Sequence, residues 1–152
     1  MLIANPTIIE ILTASGWSAG RSVDISNWVS QLEDAGYEMN TMSLLVLSSL
    51  GGLTIHPDSS DSQVYSPSPI RFDPTLLKWL PRPLPWEYQL GTVLSPLGEC
   101  YDDSSLLIGN DGRLYANWDS FMECLGENFE DSLCTLLLAT KRGTRLKLQQ
   151  ST

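Results

Sequence analysis

Two glycine-marked stops near the N-terminus constrain the fold of this chain more than any other feature. The first is Ala14-Ser15-Gly16-Trp17-Ser18-Ala19-Gly20-Arg21, and the second is Leu50-Gly51-Gly52-Leu53-Thr54-Ile55. Each closes an apolar, helix-like stretch and sets a bulky apolar residue directly after glycine. Glycine enters the left-handed conformation that ends a helix at little steric cost, so Trp17 and Leu53 are expected to fold back onto the helix just completed. The first third of the chain therefore reads as three short helices, and nothing in it looks like a catalytic loop.

The helix starts carry their own signals. Asn5 followed by Pro6 reads as N-cap and first helical residue, with Ile8, Ile11 and Leu12 forming an apolar side. Asp24 is expected to cap a second helix, whose Ile25, Trp28, Val29 and Leu32 follow the i, i+3, i+4, i+7 pattern. The run from Met42 to Leu50 is apolar enough for a buried helix or a buried strand, and the Gly51-Gly52 stop favours helix. Leu53 to His56 then reads as a strand ended by Pro57.

The middle of the chain is rich in Ser, Asp and Pro. Residues 57–69 read as a surface loop with a short strand at Gln63-Val64-Tyr65, followed by a strand at Ile70-Arg71-Phe72. Asp73-Pro74 opens a helical turn expected to run through Leu80. Pro81-Arg82-Pro83-Leu84-Pro85 reads as an extended, polyproline-like wrap over the body, anchored by Trp79, Trp86 and Tyr88. An SH3-type ligand is the alternative.

The C-terminal third is more regular. Val93 to Gly98 reads as a strand ending in a turn. Ser105-Leu106-Leu107-Ile108 and Arg113-Leu114-Tyr115-Ala116 flank Gly109-Asn110-Asp111-Gly112, a hairpin signal. Asn128 caps a last helix with Glu130 and Asp131 in its first turn and Phe129, Leu133, Leu136, Leu137 and Thr140 on one face. Lys141 and Arg142 stand at its end, where positive charge complements the helix dipole. Helices first, then a meander, then a helix define a single α+β domain with an antiparallel sheet. Its expected extent is residues 1–142, and residues 143–152 read as a basic tail that frays.

Charge narrows the function. The 152 residues carry a net charge of −9. Residues 1–140 hold all 18 acids and five of the nine basic residues, a net of −13, whereas 141–152 hold Lys141, Arg142, Arg145 and Lys147 and no acid. A body this acidic disfavours nucleic acid, whose phosphates need clustered Lys and Arg, and favours a basic partner. Maintenance of solubility is the plainer alternative. The N-terminal residues lack a charged region and a sustained apolar run, so no signal peptide is expected. No apolar run approaches the roughly 20 residues of a membrane helix. Cys100, Cys124 and Cys134 are odd in number and lack metal-type spacing, which suggests reduced thiols and a cytoplasmic protein.

Catalytic chemistry finds little to work with. His56 is the only histidine, and no Gly-x-Ser-x-Gly elbow accompanies it. His56 at a strand end reads as a structural or surface residue. No zinc spacing occurs, the Gly51-Gly52 pair lacks the phosphate-cradling spacing and its lysine, and Asp102-Asp103 lacks the EF-hand pattern. No enzyme activity, metal or cofactor is expected.

One constellation stands out. Residues 99–131 contain nine acids against Arg113 alone, a net of −8. If 118–126 is helical, Asp119, Glu123 and Glu127 recur every four residues on one side. A solvated outer face would explain them; so would a binding surface. The candidate contacts are Tyr101, Asp102, Asp103, Tyr115, Trp118, Asp119, Glu123 and Glu127, with the three aromatics as anchors.

A resemblance adds to this reading. Gly16-Trp17 with Gly20-Arg21 and Val23-Asp24, then Leu50-Gly51-Gly52-Leu53, resemble the N-terminal half of the SUKH immunity-protein superfamily, in its group with a Gly-Trp…Gly-Arg signature. Phe72-Asp73-Pro74, Pro96-Leu97-Gly98-Glu99, Leu107-Ile108, Gly112-Arg113-Leu114-Tyr115 and Gly126 continue it, so that it spans residues 5–140. The resemblance implies an α+β fold, no cofactor, and neutralisation of a polymorphic toxin domain by binding it. The chain departs from the family after Asp73-Pro74, where Pro81, Pro83 and Pro85 replace a polar, acidic helix. The matched residues mark the fold, so the candidate contacts rest on charge and aromatic placement alone.

The expected function is a cytoplasmic immunity protein that sequesters a cognate toxin domain, a basic one such as a nuclease. The alternative is a regulatory interaction module of the same fold. Replacing His56, Cys100, Cys124 and Cys134 together by alanine should leave toxin protection intact, apart from stability lost at buried thiols. Loss of protection by a stably folded quadruple variant, scored by survival of toxin-expressing cells, would contradict a purely binding role.

Overall fold

The computed structural model describes residues 3–57, 63–77, 85–118 and 121–148. Helix α1 (Pro6–Ala14) opens as its sequence predicts: the Asn5 Oδ1 accepts the N–H groups of Thr7 and Ile8 at 2.9 and 3.2 Å. It closes on a left-handed Gly16 (φ 106°), whose N–H donates to the Thr13 carbonyl at 3.1 Å while Trp17 N–H reaches Leu12 at 3.0 Å. The Trp17 ring reaches across to another helix, its Nε1–H donating to Ser49 Oγ at 2.8 Å.

Helix α2 (Ser26–Asp34) begins one residue after its nominal cap, Ile25, and Asp24 accepts Ser26 N–H at 3.0 Å. Helix α3 (Thr41–Leu50) is held at both ends. At its start, Asn40 Oδ1 accepts Ser43 N–H at 2.8 Å, and Asn40 Nδ2 donates to the carbonyls of Val93 and Ile108 at 3.0 and 2.9 Å. At its finish, Arg21 Nη1 and Nη2 donate to the carbonyls of Ser49 and Gly51 at 2.7 and 2.8 Å. The two glycine stops therefore meet in space, joined by Trp17 and Arg21.

The rest of the chain builds one sheet of seven strands in the order β1-β2-β3-β4-β5-β6-β7, each antiparallel to its neighbour. The strands are β1 (Thr54–Ile55), β2 (Ile70–Arg71), β3 (Ser95–Cys100), β4 (Ser104–Ile108), β5 (Leu114–Asn117), β6 (Met122–Cys124) and β7 (Thr144–Leu146). This is the expected meander, with α5 (Phe129–Leu138) between β6 and β7. Alternation along β4 and β5 explains two cores. Leu106, Ile108, Leu114 and Ala116 join the main core with residues of α1, α3 and α5. Leu107 and Tyr115 point the other way, into a smaller core with Leu94 and Met122. Helix α5 is stitched to the sheet by polar groups. Ser132 Oγ accepts Leu114 N–H at 3.2 Å, and Thr135 Oγ1 donates to the Leu125 carbonyl at 2.6 Å.

Several expectations are corrected. Gly98 does not end a strand. It sits at a bulge within β3, where a Cβ would stand 1.8 Å from the Arg71 carbonyl oxygen, so β2 can approach only a glycine. The described residues of 118–126 are not helical, because Met122–Cys124 pairs with Tyr115–Asn117 as β6. Val64 and Tyr65 are in a bend, not a strand, although Val64 N–H donates to the Ala139 carbonyl at 2.7 Å. Asp73-Pro74 opens a turn that does not continue as a helix through Leu77, and residues 78–80 of the expected helix lie outside the described residues. Trp79 and residues 81–84 of the proline-rich stretch lie outside the described residues. Pro85 begins an unanticipated helix, α4 (Pro85–Leu90), whose Trp86 and Leu90 pack on the smaller core. Tyr88, expected as an anchor, is 85% exposed.

The last helix also ends differently. It stops at Ala139, in a left-handed conformation (φ 54°), and Thr140 is exposed. Lys141 turns back to pair with Asp131 in the first turn of α5, away from the negative end of the helix dipole. The stretch expected to fray supplies β7, with Arg145 opposite Glu123 and Leu146 opposite Met122. Arg145 Cζ lies 3.8 Å from the centre of the Phe121 ring. Deleting residues 143–152 should therefore cost on the order of 1–3 kcal/mol, from the cation–π contact and partial burial of Leu146. Thermal denaturation should show a melting temperature lower by about 2–4 °C per kcal/mol. An unchanged melting temperature would mean that β7 contributes nothing to the fold.

Candidate functional site

The candidate contact residues divide into three groups. Tyr101, Trp118 and Glu123 converge, Tyr115 is inside, and Asp102, Asp103 and Glu127 lie on the outer surface. Asp119 lies outside the described residues. Tyr115 is 3% exposed in the smaller core, where burial pushes its hydroxyl up to about 12, so it is not a surface anchor. Its position on β5 explains this: Tyr115 and Ala116 must face opposite sides of the sheet, and both sides are covered.

The convergent group forms an aromatic ladder. Tyr101 stacks on Trp118 with ring centres 5.6 Å apart, and Trp118 stacks on Phe121 at 4.6 Å. Tyr65 meets Tyr101 edge-on at 5.7 Å. Tyr65 donates its hydroxyl hydrogen to the Thr135 carbonyl, so across the 3.1 Å contact between the two hydroxyls Tyr101 is the donor. Burial raises the hydroxyl pKa of both tyrosines, which keeps them protonated as donors.

The local backbone explains how Tyr101 gets there. The turn between β3 and β4 carries two consecutive non-glycine residues in the left-handed region, Tyr101 (φ 51°) and Asp102 (φ 61°). Such conformations cost on the order of 1–3 kcal/mol each and persist only where the surroundings hold them. The Asp103 N–H to Tyr101 carbonyl bond at 2.7 Å and the stacked Trp118 ring do so here.

Glu123 lies beside the ladder on β6, half-buried, opposite Arg145. Desolvation raises its pKa above the ordinary 4.5, against the pull of Arg142 and Arg145. Together Tyr65, Tyr101, Trp118, Glu123 and Arg142 line a cleft of about 210 Å³. Arg142 stands at its edge, with Cζ 5.7 Å from the Tyr65 ring centre and Nη2 donating to the Val64 carbonyl at 3.3 Å. Tyr65, Phe121, Arg142 and Arg145 were not legible as site residues. Their only signal was the basic composition of the tail and the aromatics scattered outside it.

Much of the acidic stretch is consumed internally. Glu130 accepts the N–H groups of Ala4 and Asn5 at 3.1 and 2.6 Å, tying the N-terminus to α5. Asp131 is held below its ordinary 3.8 by Lys141 and then by the Glu127 N–H. Glu99 lies 3.9 Å from Arg71, and Asp111 lies 3.2 Å from Arg113. A larger groove of about 760 Å³ runs past Arg113, Glu127, Asp131, Lys141 and Arg142. Several of its charges already have these partners.

Among the described residues, no nucleophile, base and orienter converge around a cysteine or His56. The Cys100 thiol is buried and pushed up to about 12, Cys124 and Cys134 are unpaired with each other, and His56 is exposed at the end of β1. Among the described residues, no group of three His, Cys, Asp or Glu side chains could hold a metal ion, and no helix is long and apolar enough to cross a membrane.

An α+β domain with a meander sheet, helices on its main face and an aromatic–charged cleft on one edge has the makings of a binding protein. The family model of the SUKH-3 immunity proteins matches residues 4–139, and the chain belongs to that family. No curated protein and no solved structure matches it.

Glu123 gives this site a pH signature. Its folded pKa is raised, so the folded protein holds a proton there more tightly than the unfolded chain does. The charged form therefore lowers stability above the unfolded value, and this loss disappears as pH falls below it. Glu123→Gln should raise the melting temperature relative to wild type at pH 7, with the gain shrinking towards about pH 4. A variant less stable than wild type at pH 7 would mean that attraction to Arg142 and Arg145 outweighs desolvation.

Proposed function

We propose that this chain neutralises a cognate polymorphic toxin domain by forming a stoichiometric complex with it in the cytoplasm. Membership of the SUKH-3 immunity family across residues 4–139 is the observation that carries this reading. The toxin surface it fits is basic, as in a nuclease domain, because the chain carries a net charge of −9. The complex works by covering the toxin's active site or substrate path and needs no catalytic residue, metal or cofactor. Neither nucleic acid nor membrane is a partner in this reading.

The contact surface is centred on the β3–β4 turn and the edge beside it. Tyr101 and Trp118 are its aromatic anchors, Glu123 stands beside them, and Asp102, Asp103, Asp119 and Glu127 supply charge. The support is spatial: Tyr101, Trp118 and Glu123 line one cleft, and Asp102 and Asp103 follow Tyr101 in the exposed turn. A standard interface buries roughly 800 Å² per partner, so neighbouring surface must join this patch.

Co-purification with the product of the adjacent toxin gene tests the complex itself. Association should be steered, with the on-rate falling as salt rises from about 50 to 500 mM. Asp102→Lys, Asp103→Lys and Glu127→Lys together should slow association strongly. The same reversal at Glu10, Glu33 and Asp34, which are exposed on the N-terminal helices, should not. Stopped-flow or surface-based kinetics would read both. If only the second triple variant is impaired, the interface lies on α1 and α2.

A further inference from the structure

The cleft beside β6 has a shape and chemistry that narrow what it can hold. Its volume of about 210 Å³ falls below the roughly 300–1,000 Å³ of pockets that enclose small-molecule ligands. One long side chain fits the space better. Among the described residues its walls are the rings of Tyr65, Tyr101 and Trp118, and Glu123 is the carboxylate that lines it. A carboxylate beside aromatic rings in a partly desolvated site attracts a cation, and the Tyr65 ring already has a guanidinium 5.7 Å from its centre.

The chain already offers a cation to this receptor. Arg142 lines the cleft and attracts Glu123 electrostatically. Its hold is loose: it is exposed, its guanidinium centre is 5.7 Å from the Tyr65 ring centre, and its bond to the Val64 carbonyl is 3.3 Å long. Arg145 is committed elsewhere, 3.8 Å above the Phe121 ring. A loosely held guanidinium at the mouth of a cation receptor is a placeholder that a better-placed guanidinium can replace.

We propose that the cleft formed by Tyr65, Tyr101, Trp118 and Glu123 receives one arginine side chain of a protein partner, and that Arg142 swings out to admit it. The inference rests on the toxin-binding reading for the source of that arginine. Exposed acids beside the cleft complement a basic partner surface: Asp102 and Asp103 follow Tyr101 in the turn that forms one wall. The left-handed strain at Tyr101 and Asp102 then has a use, since it sets the Tyr101 ring parallel to Trp118 as one wall of the receptor. Unlike a rim charge, Glu123 is half-buried, so it serves as the specific contact inside the field of the exposed acids.

The test needs no toxin. The folded protein is titrated with acetyl-Gly-Arg-Gly amide at low salt, and the Trp118 indole N–H resonance, assigned by its loss in Trp118→Phe, is followed by NMR. The arginine peptide should shift this resonance saturably, and the uncharged citrulline peptide should not. Glu123→Gln, close in shape to wild type, should weaken binding by roughly fivefold or more, and Arg142→Ala should strengthen it. Equal binding of the citrulline peptide, no effect of Glu123→Gln in a variant that melts no lower than wild type, or weaker binding by Arg142→Ala would each overturn the proposal. An equally tight lysine peptide would overturn the assignment to guanidinium. With the cognate toxin in hand the two readings separate. A toxin that binds Glu123→Gln as tightly as wild type removes the cleft proposal and leaves the immunity reading intact. A toxin that never binds the wild type removes the immunity reading, while the peptide titration still decides the cleft.

Discussion

Asn40 is the residue on which the architecture turns. Its Oδ1 caps α3, its Nδ2 bridges the carbonyls of Val93 and Ile108, and its own N–H donates to Ser95 Oγ at 2.8 Å. One side chain thus fixes the start of a helix and the place where two strands lie beneath it. Each bond satisfies a group that would otherwise be desolvated without a partner, at about 1–3 kcal/mol per group. At the other end of α3, Arg21 satisfies the carbonyls of Ser49 and Gly51. With α3 pinned at both ends, the glycine stops at Gly16 and Gly52 come together, and α1 packs on the same apolar face of the sheet.

The helical face governs where a site can form. The apolar face of the sheet is filled by residues of α1, α3 and α5, and the opposite face by the small core under α4. Both faces are therefore committed to stability. Past the end of α5 lies an edge where the β3–β4 turn, Trp118 after β5 and Arg142 before β7 meet. There the aromatics stack outside the fully buried core, and the basic residues after α5 come round to meet the acid of β6. Charge separation along the chain, with the acids before residue 141 and a basic cluster after it, is resolved by folding into local pairing.

Strain and desolvation concentrate at this same edge. Tyr101 and Asp102 occupy left-handed backbone without being glycine, and Glu123 keeps a carboxylate in a half-buried place that raises its pKa. Elsewhere the buried polar groups are routinely satisfied, as at Ser132 and Thr135. These departures from the local rules fall beside the cleft on which the proposed contact surface is centred.

The residue pattern alone determined the helix stops, the Asn5 and Asn128 caps, the hairpin at Gly109–Gly112 and the α+β order, because each depends on neighbours within a few residues. The glycine stop at Gly16 needs only the backbone around it, and the Asn128 cap needs only the N–H of Asp131. The resemblance carried by Gly16-Trp17 and Leu50-Gly51-Gly52-Leu53 led to the right family for the same reason. Tertiary structure alone decided the rest. The spacing of Asp119, Glu123 and Glu127 suits a helix, but pairing of Met122–Cys124 with β5 and β7 makes a strand, since two neighbouring strands outweigh a weak local preference. Tyr101 and Tyr115 look equivalent in the sequence, yet one lies at a turn and the other faces a core, because alternation along β5 decides which side a residue occupies. Arg142 reads as a helix-end charge and Arg145 as part of a fraying tail, yet folding brings them to Tyr65 and Phe121 across 77 and 24 positions of chain. Contacts over such separations leave no periodic trace, so the cleft they complete is written only in the folded chain.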